Sequence, residues 1–493
     1  MKKNINIFIL LAGIILASCS KELQKVNENP NALETPDATT LLSNTIVAEF
    51  YNNANVVWTL GNGYDQYMTY SQSYYDQGTR YSPITNEPYW TAMFEAARDA
   101  NTLYGIGQQK NNALLQAAAL TLRSYAFAQL TELWGDIPFI QALQGAQGIY
   151  TPKYDKQQTV YTDPALGILP SLRRADSLLK ATPNGLLAGD LLYNSNTTSW
   201  RKFINALRLR YLLRISSKQD PSAEMQSIVA DGALMQSASE SATLQLPTVT
   251  PYNFVSLTER SGDFAVKYLN STLYDVFKST GDTSRLSAYF DPTANATPGT
   301  FSFSNYGGMP LVVDATTDQM HAASNFSHSF TTGANAALIK AKIITYAEQE
   351  FILSEAALKG YISGGPSAAT DYYDKGVTGA FAELGLSGDI ASDYLSHSAV
   401  VLDNSSMDAA LQQIITQKWI ANINNGFEGW IEYRRTGFPD FQTGGDANLN
   451  KGVIPSRFLY PTSEKTINST NYNTELQSMG GTENTTYKAW WEQ

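Results

Sequence analysis

The sequence predicts a mainly α-helical protein, a scaffold of paired helices with long loops and a few short strands. Apolar residues recur at three- and four-residue spacings through several segments of 14 to 24 residues, the pattern of amphipathic helices. These segments come in close pairs. Stretches rich in Gly, Pro, Ser, Thr and Asn separate the pairs, as expected for long connecting loops.

The N-terminus has the anatomy of an export signal. Lys2 and Lys3 precede an apolar run over 5–16, and small residues lead to Cys19, the single cysteine. This run is too short for the roughly 20 residues that span a bilayer as a helix. The stretch Leu-Ala-Ser-Cys fits the bacterial lipobox, in which the cysteine thiol is acylated. The alternatives are an ordinary signal peptide with a chance cysteine at the cleavage site, and a buried free cysteine.

These features predict three parts of the chain. Residues 1–18 are a signal peptide, 19–35 are a lipidated cysteine with a flexible tether, and 36–493 form a single helical domain with loop insertions. The tether is polar and contains proline, which is typical of a linker.

The folded part contains three predicted helical pairs. They are 88–108 with 111–134, 166–182 with 198–217, and 345–361 with 367–384, and one further helix is predicted over 407–422. Small residues at inward positions, such as Ala118, Ala356 and Gly376, allow helices to approach closely. Such pairs are tetratricopeptide-like, although no clean repeat of about 34 residues is present. The alternation over 243–246 predicts one short strand.

Composition narrows the classes of partner. The net charge is −11 and the pI about 4.9, which disfavours nucleic acid and anionic membrane surfaces. Only 16% of residues are charged, whereas aromatics reach 12% and include 29 tyrosines. A tyrosine-rich surface with few charges favours sugars or peptides as ligands.

Catalytic and metal motifs are absent from the sequence. The three histidines, His321, His328 and His397, stand in no HExxH pattern, and no nucleophile elbow or phosphate loop occurs. Residues 446–450 imitate an EF-hand, but Lys451 and Arg457 replace the glycine and glutamate that such a loop requires. We therefore expect no catalytic residue, metal or cofactor. A surface glycan hydrolase or esterase stays as the alternative, because 45 acidic residues do not exclude a carboxylate pair.

The segment 51–90 is the main candidate for a ligand site, since it holds eight tyrosines and two tryptophans. The spacing of Tyr64, Tyr67, Tyr70 and Tyr74 places them on one helical face, which predicts core packing for part of the set. The remaining rings lie near polar side chains and predict a sugar-stacking site; the alternative is core packing. The candidate residues are Trp58, Tyr75, Asp76, Arg80 and Tyr81, with Tyr306 in the loop 301–308 as a second candidate.

Two further motifs are interpreted as structural. Glu428, Glu432, Arg434 and Arg435 are dense enough for an ion-pair network around Trp419 and Trp430. Arg457 and Tyr460 indicate a packing corner.

Five stretches of the chain form an ordered set: LTELWGDIPFIQAL (130–143), SWRKFINALRLRYLLRIS (199–216), TYAEQEFILSEAALKG (345–360), QKWIANINNGFEGWIEYRRTGFP (417–439) and IPSRFLYPTSE (454–464). Together they resemble the SusD/RagB family of nutrient-binding outer-membrane lipoproteins. With the lipobox they cover nearly the whole chain in the expected order, and the Trp-Gly-Asp-Ile-Pro turn indicates the SusD-like branch.

The resemblance implies a tetratricopeptide-type scaffold whose loops bind ligand without cleaving it. It further implies a lipid-anchored protein on the exterior of the outer membrane, delivering a glycan to a SusC-like TonB-dependent transporter. A peptide ligand is the alternative within the family. A surface hydrolase and a purely structural helical adaptor are the alternatives outside it.

Overall fold

The computed structural model describes residues 37–75, 78–297 and 301–493. The predicted signal peptide, Cys19 and the predicted tether therefore lie outside the described residues. Within them the mainly α-helical prediction is confirmed: twenty α-helices and six short strands are present in the described part. No helix in these ranges combines the length and the apolar character needed to cross a membrane.

The α-helices are numbered in chain order. They are α1 Ala38–Val56, α2 Asn62–Tyr64, α3 Glu87–Gln109, α4 Ala113–Trp134, α5 Gln157–Thr162, α6 Ile168–Ala181, α7 Thr197–Arg214, α8 Ser222–Asp231, α9 Ser261–Ala265, α10 Ser271–Thr280, α11 Thr283–Tyr289, α12 Thr317–His321, α13 Ser329–Thr332, α14 Tyr346–Leu358, α15 Gly365–Glu383, α16 Gly388–Leu395, α17 Met407–Ala421, α18 Glu428–Thr436, α19 Thr462–Ile467 and α20 Ser469–Ser478.

The strands form three antiparallel pairs. The strands are β1 Met68–Tyr70, β2 Ile137–Pro138, β3 Tyr154–Asp155, β4 Ala242–Gln245, β5 Lys267–Leu269 and β6 Lys340–Ile344. β1 pairs with β5, β2 with β3 and β4 with β6. In the first pair Met68 lies opposite Leu269 and Tyr70 opposite Lys267. The predicted strand at 243–246 is confirmed as β4.

The three predicted helical pairs are confirmed and pack as neighbours: α3 with α4, α6 with α7, and α14 with α15. α4 also contacts α6, so the first two pairs form one continuous layer. Almost every residue of α4 is buried, which explains its lack of a polar face. The core is therefore centred on α4 and its neighbours.

Polar side chains begin several of these helices. The side chain of Asn112 accepts a hydrogen bond from the backbone N–H of Leu115 at 3.0 Å and caps α4. Thr345 caps α14 in the same way, through the N–H of Glu348 at 3.2 Å. α4 ends at Gly135, whose φ of +84° and ψ of −123° favour glycine. The end of α4 is therefore predictable from the sequence.

A buried ion network joins four helices at the centre of the molecule. Arg214 on α7 contacts Glu132 on α4 at 2.8 Å, and Glu428 and Glu432 on α18 at 2.6 Å each. Arg210 pairs with Glu348 on α14 at 2.6 Å. All these side chains are buried, and a buried charge is costly without its partner. The network therefore favours the arrangement of the four helices in which every pair is formed.

The network predicted around Trp419 and Trp430 is thus confirmed and extends further than expected. Arg435 bridges Glu432 and Glu355, each at 2.6 Å. Burial raises the pKa of Glu432, but Arg435, Lys418 and Arg214 outweigh it and hold that pKa well below its usual range. Arg434 instead contacts Glu492 at 2.5 Å. The network is structural, since each of its carboxylates is buried and contacts an arginine within the core.

The predicted packing corner is also present. The Arg457 guanidinium lies 4.1 Å from the ring centre of Tyr460, and the Tyr460 hydroxyl donates to the carbonyl of Asp136 at 2.6 Å. This contact fixes the loop after α18 against the turn that follows α4.

Residues 64–74 differ from the sequence prediction. No helix carries Tyr64, Tyr67, Tyr70 and Tyr74 on one face, because the chain leaves α2 and forms β1. The first three rings are buried as predicted, whereas Tyr74 lies beyond the strand and is 85% exposed. Pairing with β5, distant in the sequence, overrides the helical spacing.

Candidate ligand-binding site

Trp58 lies in the core, which corrects its interpretation as a ligand-stacking ring. Its side chain is 0% exposed and packs against the rings of Phe254, Phe264, Phe326 and Phe330, with ring centres 5.0 to 6.3 Å away. The indole N–H donates to Glu259 Oε2 at 3.0 Å. A ring surrounded in this way offers no face to a ligand.

Tyr81 and Arg80 are likewise integrated into the protein. Tyr81 is 1% exposed, and its hydroxyl accepts a hydrogen bond from Gln66 Nε2 at 2.8 Å. Arg80 is 9% exposed, and its Nε donates to the carbonyl of Ala447 at 2.8 Å. Both residues fix the segment after β1 against the loop near 447, so their role is corrected to packing. Asp76 lies outside the described residues.

The second candidate, Tyr306, is also mostly buried. Its ring is 8% exposed and stacks on Phe301 with ring centres 5.3 Å apart. Gly307 packs so tightly that a side chain there would meet the carbonyl of Ala322. The loop 301–308 is thus folded back on the body, and Phe301 is its exposed ring.

Tyr75 is the predicted aromatic residue that stays accessible at the surface. It is half-buried, and its hydroxyl donates to Asp263 Oδ1 at 2.7 Å. That hydrogen bond raises the pKa of Tyr75, whereas the hydrogen bond from Arg260 lowers the pKa of Asp263. The ring also stacks on Tyr70 at 5.9 Å. Its orientation is therefore fixed from two sides.

Tyr74 is the residue that the sequence prediction missed. Its ring is 85% exposed and meets the ring of Tyr75 edge to face, with centres 5.0 Å apart. The polar run Ser71-Gln72-Ser73 before it is typical of a turn and was the sequence cue for an exposed position. The backbone N–H of Ser73 donates to Asp314 Oδ1 at 2.9 Å, which holds this turn.

The two rings lie at one end of a cleft of about 680 Å³, named here the aromatic cleft. It is lined by Val56, Thr59, Leu60, Tyr74, Tyr75, Gly78 and residues 83–88. Leu60 and Ile84 supply apolar wall. Such a cleft has the size of ordinary small-ligand sites.

Polar side chains also line the aromatic cleft. The Nδ2 of Asn86 is buried and has no hydrogen-bond partner among the described residues. Glu87 accepts from the N–H groups of Thr462 and Ser463 at 3.3 and 3.2 Å, and hydrogen bonding by Ser463 lowers its pKa. An exposed ring beside a few fixed donors and acceptors suits a sugar, whose C–H face stacks while its hydroxyls are satisfied.

Two other candidate sites have a different chemistry. A cavity of about 320 Å³ near the C-terminus is lined by charges that are paired within the protein, such as Lys156 with Asp136 at 2.7 Å. In the described ranges no three His, Cys, Asp or Glu residues cluster to hold a metal ion. The Nδ2 of Asn448 donates to the carbonyl of Thr443 at 2.6 Å, so the EF-hand-like segment bonds to itself.

Comparisons with known proteins agree with this fold. The family model SusD-like, described as starch-binding and associating with the outer membrane, matches residues 30–461. No curated protein is significantly similar to the chain.

Several solved structures match this fold. An outer-membrane protein of Bacteroides vulgatus ATCC 8482 associated with nutrient binding is 26% identical, with a TM-score of 0.78 over 93% of this chain and 100% of its own. A SusD homologue from Bacteroides fragilis NCTC 9343 is 25% identical, with a TM-score of 0.79 over 93% and 100%. A chitin-binding SusD homologue from Flavobacterium johnsoniae shares the fold at 21% identity, with a TM-score of 0.75 over 92% and 98%.

Proposed function

The chain belongs to the SusD-like family of outer-membrane-associated nutrient-binding proteins, and from this premise we propose that it binds a glycan at the aromatic cleft. Members of the family are binding proteins, so the protein is not an enzyme. The observation that carries the proposal is the exposed ring of Tyr74 beside the fixed ring of Tyr75. Tyrosine presents a large, rigid contact area with a polar end, which suits a saccharide.

We further propose that the glycan passes from this cleft to a SusC-like TonB-dependent transporter. The family association with the outer membrane and the lipobox at Cys19 support a lipid-anchored position at the cell surface, facing the exterior. A surface binder held near a transporter raises the local concentration of the nutrient at its entrance.

The test is direct binding to the purified mature protein in detergent. Calorimetry with maltooligosaccharides, chitin oligosaccharides and short peptides should show saccharide binding, with no product released on prolonged incubation. The chitin series is included because the Flavobacterium johnsoniae relative binds chitin. Binding of peptides alone would assign the peptide alternative, and product formation would contradict a binding function.

Tyr74→Ala should weaken saccharide binding by about 1–3 kcal/mol, roughly 5- to 150-fold, as expected for an aromatic hot spot. The thermal midpoint should stay constant, because an 85% exposed ring contributes little to the core. Tyr150→Ala is the matched control, a ring that is 76% exposed but outside the cleft. Equal saccharide affinities of the Tyr74→Ala and Tyr150→Ala variants would show that Tyr74 does not contribute to binding.

A further inference from the structure

A second cleft, of about 790 Å³, lies against the aromatic cleft and is named here the polar cleft. Its walls come from α10, the exposed side of α17 and the segment 439–445. Gly78 lines the aromatic cleft and Thr79 lines the polar cleft, and consecutive Cα atoms are about 3.8 Å apart. One thickness of backbone therefore separates the two clefts at this point.

The lining of the polar cleft is neutral or acidic. None of the described residues around it is aromatic, lysine, arginine or histidine. Hydroxyl and carboxamide side chains dominate, among them Gln412, Thr416 and Thr443. Asp275 and Asp440 are exposed and form neither an ion pair nor a hydrogen bond with any described residue. The cleft offers hydrogen-bond groups but no cation for an anionic ligand.

The base of the cleft is held in place by Gln66. Its Nε2 donates to the carbonyl of Gln442 at 2.6 Å, and its Oε1 accepts from the N–H of Gln442 at 3.0 Å. The same Oε1 accepts from the hydroxyl of Thr272 at 2.7 Å. These contacts join the segment 439–445 to α10, so the cleft exists before a ligand arrives.

One polar group beside the polar cleft lacks a hydrogen-bond partner among the described residues. Thr79 is 4% exposed, and its Oγ1 has no hydrogen-bond partner among the described residues. Buried hydroxyls in folded proteins are nearly always paired with protein, water or ligand. The hydroxyl of Thr79 is therefore an exception, enclosed beneath the lining of the polar cleft.

We propose that the polar cleft is a second saccharide subsite, which binds the continuation of a neutral glycan held at the aromatic cleft. The inference rests on the saccharide-binding function proposed above. The aromatic cleft holds one portion of the chain by stacking, and the polar cleft holds the next by hydrogen bonds to hydroxyls. A single metal ion fits less well, because the cleft has the volume of a small-molecule site and the described residues contain no three-ligand acidic cluster.

The consequence is a dependence of affinity on chain length. Once a ligand reaches both subsites, its second contact is intramolecular, and affinity rises by about tenfold or more. Calorimetry should compare maltotriose with maltohexaose, and the chitin disaccharide with the hexasaccharide. The wild-type protein should bind the longer member of the recognised series at least about tenfold more tightly.

The double variant Asp275→Ala, Asp440→Ala should lose this gain, so that the hexasaccharide binds no better than the short sugar. Asp389→Ala, an exposed aspartate outside both clefts, should retain it. Thermal midpoints show that the variants fold, since all three positions are exposed.

Three results would overturn the inference. Short-sugar binding without a gain for the hexasaccharide would contradict the second subsite and leave the aromatic cleft intact. Calcium binding that is lost in the double variant would assign the cleft to an ion. Absence of binding to every saccharide would instead refute the proposed function, and the second subsite with it.

Discussion

Glu49 is an acidic residue in an environment that disfavours its ionised form. It lies on α1 with its side chain fully buried, and neither carboxylate oxygen has a hydrogen-bond partner among the described residues. Burial raises the pKa of Glu49 well above its ordinary value. The carboxyl is therefore protonated in the folded protein over a range of pH in which it is ionised in the unfolded chain.

Glu49→Gln should stabilise the protein at neutral and alkaline pH. Because the folded pKa is raised, the contribution of Glu49 is fully present below its unfolded pKa and is lost as pH rises through the folded pKa. A pKa that differs by one between the folded and the unfolded chain corresponds to about 1.4 kcal/mol of stability. The free energy of unfolding of the variant minus that of the wild type should thus grow between about pH 5 and about pH 8. Urea unfolding at several pH values in this range measures the difference.

Glu95→Gln on the neighbouring α3 is the matched control for this experiment, because Glu95 is exposed. It should show no such growth. A Glu49→Gln difference that stays constant with pH would mean that Glu49 is ionised in the folded protein.

At the scale of elements, the helices are held together by charge as well as by apolar packing. Arg214→Met leaves Glu132, Glu428 and Glu432 without the guanidinium that all three contact. Removing one partner from a buried ion pair costs about 3–5 kcal/mol, because the remaining charge stays buried. Urea unfolding should show a loss of this size.

Arg173→Met provides the comparison for the Arg214 variant. Arg173 also pairs with a glutamate, Glu224 at 2.5 Å, but its side chain is 41% exposed. Solvent screening limits such a pair to about 1 kcal/mol or less. Similar losses from the two variants would show that the central network contributes no more than a surface pair.

The helical pairs were predictable, whereas the placement of single rings was not. Periodicity identifies α3, α4, α14 and α15 because their apolar faces are continuous along the sequence. Trp58 and Tyr74 look alike in the sequence, since both stand in an aromatic-rich stretch. Their difference depends on distant partners: Phe330 and Glu259 cover Trp58. Such contacts cannot be read from local spacing.

The aromatic cleft shows the same limit. The sequence located it in the segment 51–90 and identified Tyr75, but it assigned Tyr74 to the core. Tyr64 at the end of α2, Tyr67 before β1 and Tyr70 on β1 are buried, whereas Tyr74 lies beyond the end of β1 and is exposed. The strand has three residues and depends on pairing with β5, so the polar run 71–73 was a weak local cue to its end, and the spacing of the tyrosines indicated a helix instead.

At the scale of the whole molecule, the proposed lipid anchor depends on one atom, the Sγ of Cys19. Cys19→Ala should abolish acylation and release the protein from the membrane fraction. Acyl chains contribute about 0.8 kcal/mol per buried CH₂, and several chains hold a protein durably. Metabolic labelling with a fatty acid followed by fractionation measures both effects.

Ser20→Ala, which leaves the thiol in place, should label and fractionate as the wild type does. Incorporation of the fatty acid into the Cys19→Ala protein would place the anchor elsewhere.

The partners in the central ion network are synthesised at different times. Arg214 and Glu432 are 218 residues apart in the sequence, so the ribosome makes the arginine long before its acidic partners on α18. Until α18 is translated, two of the three carboxylates that contact Arg214 do not exist, so the network cannot be completed before that point. We expect the core to close only after α18 has been made, which suits the export that the predicted signal peptide implies.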